Sequence, residues 1–96
     1  MPEWKSFNIN DPVRVKLTEV GMAEYRRQAA EVRARLPEHA RDMIASEPKL
    51  DADGYCTAQM WDVMQTFGHL CGVGRPQPFA AVIQINADDL QAVEAT

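Results

Sequence analysis

The sequence predicts an α+β fold, three to four short helices packed on a small two-stranded β-sheet, in a single domain spanning 1–96. Three observations predict it. Val13, Val15 and Leu17 alternate with Arg14 and Lys16, the period of a strand with one wet face. Apolar residues then recur at three- and four-residue steps in two later segments, the period of a helix. Phe79 to Ile85 forms a short apolar run bounded by turn residues, consistent with a buried strand. A chain of 96 residues leaves room for one core.

Taken in order, the residues up to Pro12 read as an irregular lead-in. Trp4 and Phe7 anchor it to the core, and Asn8 to Pro12 form a turn. Strand one follows from Val13, its outward Arg14 and Lys16 guarding an edge. Thr18 caps helix one, because its hydroxyl accepts an early backbone N–H and Glu19 complements the helix dipole. The apolar side of this helix runs Met22, Tyr25, Ala29, Val32 and Leu36. Gly21 weakens its first turn, while Glu31 and Arg35 form a supporting pair.

Pro37 breaks that helix and occupies the first position of a second, with Ala40, Met43 and Ile44 inward, until Ser46-Glu47-Pro48 ends it. Asp51-Ala52-Asp53-Gly54 is a polar turn. Thr57 then caps a third helix that presents Met60, Trp61, Met64 and Phe67 to the core and closes at a left-handed Gly68. Gly72 to Pro78 is a loop, since two glycines and two prolines in seven residues preclude a regular element. Strand two, Phe79 to Ile85, pairs with strand one, and Asn86 caps a short terminal helix.

Fourteen acidic against ten basic side chains give a net charge of -4, which disfavours general coating of a phosphate backbone. No apolar run approaches the roughly 20 residues of a spanning helix, and the polar start lacks the apolar stretch of a secretory signal. The expectation is a soluble, non-exported protein with no membrane partner. Cys56 and Cys71, without a second pair, read as partly buried thiols rather than a disulfide framework.

The motifs that suggest chemistry fail on spacing. Asp51-Ala52-Asp53-Gly54-Tyr55 resembles the start of a calcium loop, but placing Gly54 at the sixth position puts Lys49 first and Met60 where the bidentate glutamate belongs. Cys56, His69, Cys71 and His39 hold zinc-ligand chemistry without a Cys-x-x-Cys pair to organise it. A cysteine nucleophile needs a base within reach and an orienting third group, which His69 and Cys71 as loop neighbours do not establish. Gly72-Val73-Gly74 lacks the third glycine and the following helix of a phosphate cradle. The expectation is no enzyme, no cofactor and no metal.

What remains is surface. The candidate partner-binding residues are Arg26, Arg27, Arg33 and Arg35, together with Arg41, on the helix-one side, Asp51 and Asp53 at the turn, and Arg75 at the loop tip. Glu24, Glu31, Glu38 and Asp42 interleave with the arginines, the usual pattern of an internally compensated helix surface.

Phe7-Asn8-Ile9-Asn10-Asp11-Pro12-Val13-Arg14-Val15-Lys16-Leu17-Thr18, then Asp51-Ala52-Asp53-Gly54-Tyr55 leading to Gln59-Met60-Trp61, then Phe67-Gly68, together resemble a small family of phage and prophage proteins. The likeness spans most of the chain and carries no catalytic residue. It implies a phage-encoded, non-enzymatic protein that binds and inhibits a bacterial host protein or ribonucleoprotein complex, foremost a CRISPR-Cas one. The alternatives are a nucleic-acid-binding phage regulator and a structural or assembly accessory protein. A homodimer is also expected, because a two-stranded sheet is marginal alone and strand two is apolar on both faces.

Overall fold

The computed structural model describes residues 2–93 and has the α+β class expected. The sheet differs from expectation. Two small antiparallel sheets replace the single two-stranded one. In the larger, β2 (Pro12–Lys16) lies at the centre, flanked by β3 (Tyr55–Gln59) and β4 (Gln84–Ile85). In the smaller, β1 (Lys5–Phe7) pairs with β5 (Leu90–Ala92). The α-helices are α1 (Glu19–Arg35) and α2 (Met60–Phe67), and three 3-10 turns cover Glu38–Met43, Gly68–Leu70 and Ala87–Asp89.

The alternation in β2 places Val13 and Val15 in the core and Arg14 and Lys16 outside. The strand is therefore central, and its charges guard a face rather than an edge. Val13, Val15, Val63 and Phe67 form the buried cluster, with Phe7, Leu17, Tyr25, Phe79 and Ile83 packed around it. Phe67 meets Phe79 edge-to-face, with ring centroids 6.1 Å apart. Full burial of each large apolar side chain stabilises the fold by about 1.5–3 kcal/mol.

The segment after the Asp51 turn corrects the expected start of the third helix. Tyr55 to Gln59 is a strand, not a capped helical turn, because β2 offers it a complete antiparallel partner: Lys16 stands opposite Tyr55 and Pro12 opposite Gln59. Thr57 is thus an outward strand residue. Helix α2 starts at Met60, directly after β3, with no side-chain cap. Its first free amides are satisfied by the Asn8–Asp11 turn ahead of β2 instead: Met60 N–H donates to the Asp11 carbonyl and Trp61 N–H to that of Ile9, each at 3.1 Å. Gly68 ends the helix in right-handed rather than left-handed geometry, continuing into a 3-10 turn.

Helix one has the expected limits, with Thr18 Oγ1 accepting the Gly21 amide and the chain leaving the helical region at Leu36. Its buried face is the expected one in part: Ala29 is buried and Tyr25 packs on the core, but Gly21 and Glu24 are buried as well and Val32 is exposed. Gly21 is needed for close approach, because a Cβ there would stand 1.9 Å from the Pro78 carbonyl oxygen. The Pro78 segment is fixed beside it, with Thr18 N–H donating to Pro78 O at 3.0 Å and Ala80 N–H to Lys16 O at 2.8 Å. Glu31 pairs with Arg27 at 3.2 Å rather than with Arg35.

Three further expectations are revised. Strand two shrinks to Gln84–Ile85, with an isolated bridge from Phe79 to Leu17. The residues between leave the sheet, and Val82 projects outward. The second helix is a 3-10 turn with Met43 82% exposed, since Pro48, not Met43, is the buried residue of that stretch. Phe7 packs on the core, but Trp4 is 74% exposed. Asn86 caps only a 3-10 turn, its Oδ1 accepting the Asp88 amide, before β5 returns to β1.

Helix α1 is tied to the end of α2 by a polar cluster. Buried Glu24 accepts from the Arg27 guanidinium and from Gln28 Nε2 at 3.1 Å, and lies 3.1 Å from His69 Nε2. Gln28 Nε2 also donates to the Thr66 carbonyl at 2.7 Å. The Arg27 bonds, assisted by Gln28, hold the Glu24 carboxyl at about 2 despite its burial.

Candidate functional site

The outer face of the three-stranded sheet gathers a polar constellation of Arg14, Lys16, Asp51, Tyr55 and Gln84. It follows from register. On this face Arg14 stands opposite Thr57 of β3 and Gln84 of β4, and Lys16 stands opposite Tyr55. The Asp51 turn folds back over the same face. Asp51 Oδ1 accepts the amides of Asp53 and Tyr55, both at 2.9 Å, and Gly54 closes the turn with φ of 86°. That left-handed conformation favours glycine.

Arg14 is the centre of the constellation. Its guanidinium lies 4.6 Å from the Tyr55 ring centroid, and Nη2 donates to Asp51 Oδ2 at 2.9 Å and stands 4.0 Å from Asp53 Oδ2. Lys16 Nζ approaches the same ring at 5.9 Å. Across the strand, Gln84 Nε2 donates to the Tyr55 hydroxyl at 3.2 Å. The Tyr55 amide, then the Asp53 amide and Arg14, hold the Asp51 carboxyl below its ordinary value. Arg14 Nε is buried without an acceptor among the described residues. The Tyr55 ring and the Asp51 bond are the contacts that hold this side chain.

A cleft opens on each side of the Arg14–Tyr55 ridge. One, of about 350 Å³, is lined by Pro12, Arg14, Thr57, Gln84 and Asn86. The other, of about 300 Å³, is lined by Lys49, Leu50, Asp51, Tyr55 and Thr57. Such an arrangement can present both signs of charge and an aromatic ring with little ordering left to do on binding. Tyr and Arg are also the side chains that most often carry binding energy at interfaces.

Of the residues the sequence singles out, only Asp51 and Asp53 belong to this face. Arg26 pairs with Glu47 at 2.8 Å, and Arg27 with Glu24 and Glu31. Arg33 and Arg35 lie at the far end of α1, where Arg33 and Arg41 line an open cleft with Ala30 and Ala34. Arg75 sits in the loop, its side chain over Gly72. The candidates thus divide among separate surfaces. Arg14, Tyr55 and Gln84 were missed, although the alternation of Tyr55, Thr57 and Gln59 against Cys56 and Ala58 was a strand signal that could have placed them.

The thiols and imidazoles also separate. Cys56 is half-buried, its thiol pushed up by burial and then by Asp62. Cys71 is exposed rather than buried, with Sγ 3.6 Å from the Phe67 carbonyl, and His69 is engaged by Glu24. No group of three His, Cys, Asp or Glu side chains able to hold a metal gathers among the described residues. Within them no helix is long and apolar enough to cross a membrane.

A second surface is apolar. Trp61 and Met64, expected in the core, are 40% and 50% exposed, because Val63 and Phe67 take the inward positions of α2. Ile9, whose carbonyl receives the Trp61 amide, is 51% exposed beside them. Comparison of the chain with protein-family models, with curated proteins and with solved structures gives no match.

Proposed function

We propose that this is a phage-encoded, non-enzymatic protein of the bacterial host cytoplasm that binds and inhibits a host protein or ribonucleoprotein complex, foremost a CRISPR-Cas one. The observation that supports binding is the Arg14–Asp51–Tyr55 ridge, whose charges and ring are held in place before any partner arrives. The host and the target follow from the family resemblance in the Phe7–Thr18, Asp51–Tyr55 and Phe67-Gly68 segments. A partner that offers a carboxylate and a basic group across the ridge can exchange with the Asp51–Arg14 pair without burying a lone charge.

Expression of the chain in cells whose CRISPR-Cas system targets a phage tests the reading. Restored plaque formation and co-purification with the effector complex are expected, both reduced by Arg14→Ala. Unchanged immunity and no retained effector complex reject it.

A second reading, a nucleic-acid-binding regulator, draws on Arg33 and Arg41 around the open cleft at the end of α1. It predicts association that weakens steeply with salt. A gel-shift series showing no complex at low salt removes it.

A further inference from the structure

We infer that the cleft between Pro12 and Asn86, on the outer face of the three-stranded sheet, is a carboxylate site that receives an acidic side chain of a partner protein. The cleft is one flank of the Arg14 ridge, so its assignment rests on the binding role proposed for that ridge.

Strand register builds it. Arg14 of β2 stands between Thr57 of β3 and Gln84 of β4. With Pro12 and Asn86 these side chains line about 350 Å³, at the lower end of the roughly 300–1,000 Å³ typical of ligand pockets. That is room for a carboxylate and the short stem that carries it.

The lining offers mostly donors. Arg14 gives Nη2 to Asp51, which lines the cleft on the other flank, and its buried Nε has no acceptor among the described residues. Asn86 Oδ1 accepts the Asp88 amide at 3.0 Å, which leaves the Asn86 Nδ2 to donate. Thr57 adds a hydroxyl, and among the described residues no Asp or Glu lines this cleft. A guanidinium, an amide donor and a hydroxyl without a carboxylate select an anion that accepts hydrogen bonds.

Two features favour a carboxylate over phosphate. Asp51 and Asp53 stand 2.9 and 4.0 Å from Arg14, so a dianion would meet two competing charges where a single carboxylate meets them at half the cost. The net charge of -4 also opposes a run of phosphates. A second cleft supplies the internal contrast. Asp11 and Asp89 line it beside Asn8 and Gln91, and they repel the same ligand.

Nuclear magnetic resonance titration of the full chain with N-acetylglutamate tests the site. No host component is present, so failure of this titration and failure of effector capture are separate results. Saturating shifts are expected at the Asn86 and Gln84 side-chain amides and the Thr57 backbone amide, in the millimolar range of so small a ligand. The Asn8 and Gln91 amides should stay still, and N-acetylglutamine should give no saturation. Asn86→Asp keeps an oxygen to accept the Asp88 amide but replaces the donor with a carboxylate, so affinity should fall at least tenfold. Should that variant fail to fold by circular dichroism, Thr57→Val, which removes only the hydroxyl, should weaken binding at least threefold. The site is overturned by an absence of saturating shifts, by an equal response to N-acetylglutamine, or by unchanged affinity in the folded variant. Tighter binding of inorganic phosphate at the same resonances overturns the carboxylate assignment.

Discussion

The two outward faces lie over the same core yet are built by opposite means. The sheet face is polar and locked: Arg14 is stacked on Tyr55 and bonded to Asp51, and Tyr55 is held from the other side by Gln84. The α2 face is apolar and bare, with Trp61 and Met64 making no comparable commitments. The contrast teaches how a small domain can divide its surface. A preorganised polar ridge loses little entropy on meeting a partner and discriminates by charge, whereas an uncovered apolar patch is driven by area alone.

The sharpest way to break the contrast is to remove what both faces share. Phe67→Ala should cost about 3–5 kcal/mol in urea denaturation, since it empties the core between them. Capture of the host complex should then fail with the fold. Arg14→Ala separates the faces instead. On the proposed binding role, it should weaken capture of the host complex by at least tenfold, about 1.4 kcal/mol, while circular dichroism still gives the folded spectrum. Equal loss of both would show that the ridge is structural.

Acidity probes the tie between α1 and α2. Glu24 titrates at about 2 in the fold against an ordinary 4.5, so its stabilisation is complete above about 4.5 and disappears as pH falls toward 2. Allowing for solvent screening of the exposed Arg27, the loss should be about 1–2 kcal/mol. Glu24→Gln should flatten that part of the stability–pH curve. The smallest effect belongs to the rim: Asp53→Asn should leave the melting temperature unchanged, because Asp53 is exposed and 4.0 Å from Arg14. It should lower only the salt sensitivity of partner capture.

How much of this was legible depends on the range of the interactions. Thr18 as cap, Leu36-Pro37 as stop and Gly54 as the special turn residue are local matters of hydroxyl geometry, ring closure and a missing Cβ. Val13, Val15 and Leu17 likewise announced an inward face. In the sequence Tyr55 and Cys56 end the polar turn and Thr57, a good cap, starts a helix, whereas the β2 partner that makes Tyr55–Gln59 a strand lies some forty residues away. The candidate site suffered similarly. Asp51 and Asp53 were visible as charges, but their meeting with Arg14 is a consequence of strand register.

By itself, then, the sequence determined the α+β class, the strand at Val13, the limits of the first helix and the acidic turn, since each rests on neighbours along the chain. Only the tertiary structure decided that β2 is central, that Gly21 makes room for the Pro78 carbonyl, that Glu24 is buried and paired, and that Trp61 faces out while Val63 and Phe67 face in. Met60, Val63, Met64 and Phe67 form one apolar stripe at helical spacing, with Trp61 at its edge. How far that stripe turns into the core is a tertiary matter: the Met60 and Trp61 amides are held by the Asp11 and Ile9 carbonyls, and Val63 and Phe67 are the side chains that become buried.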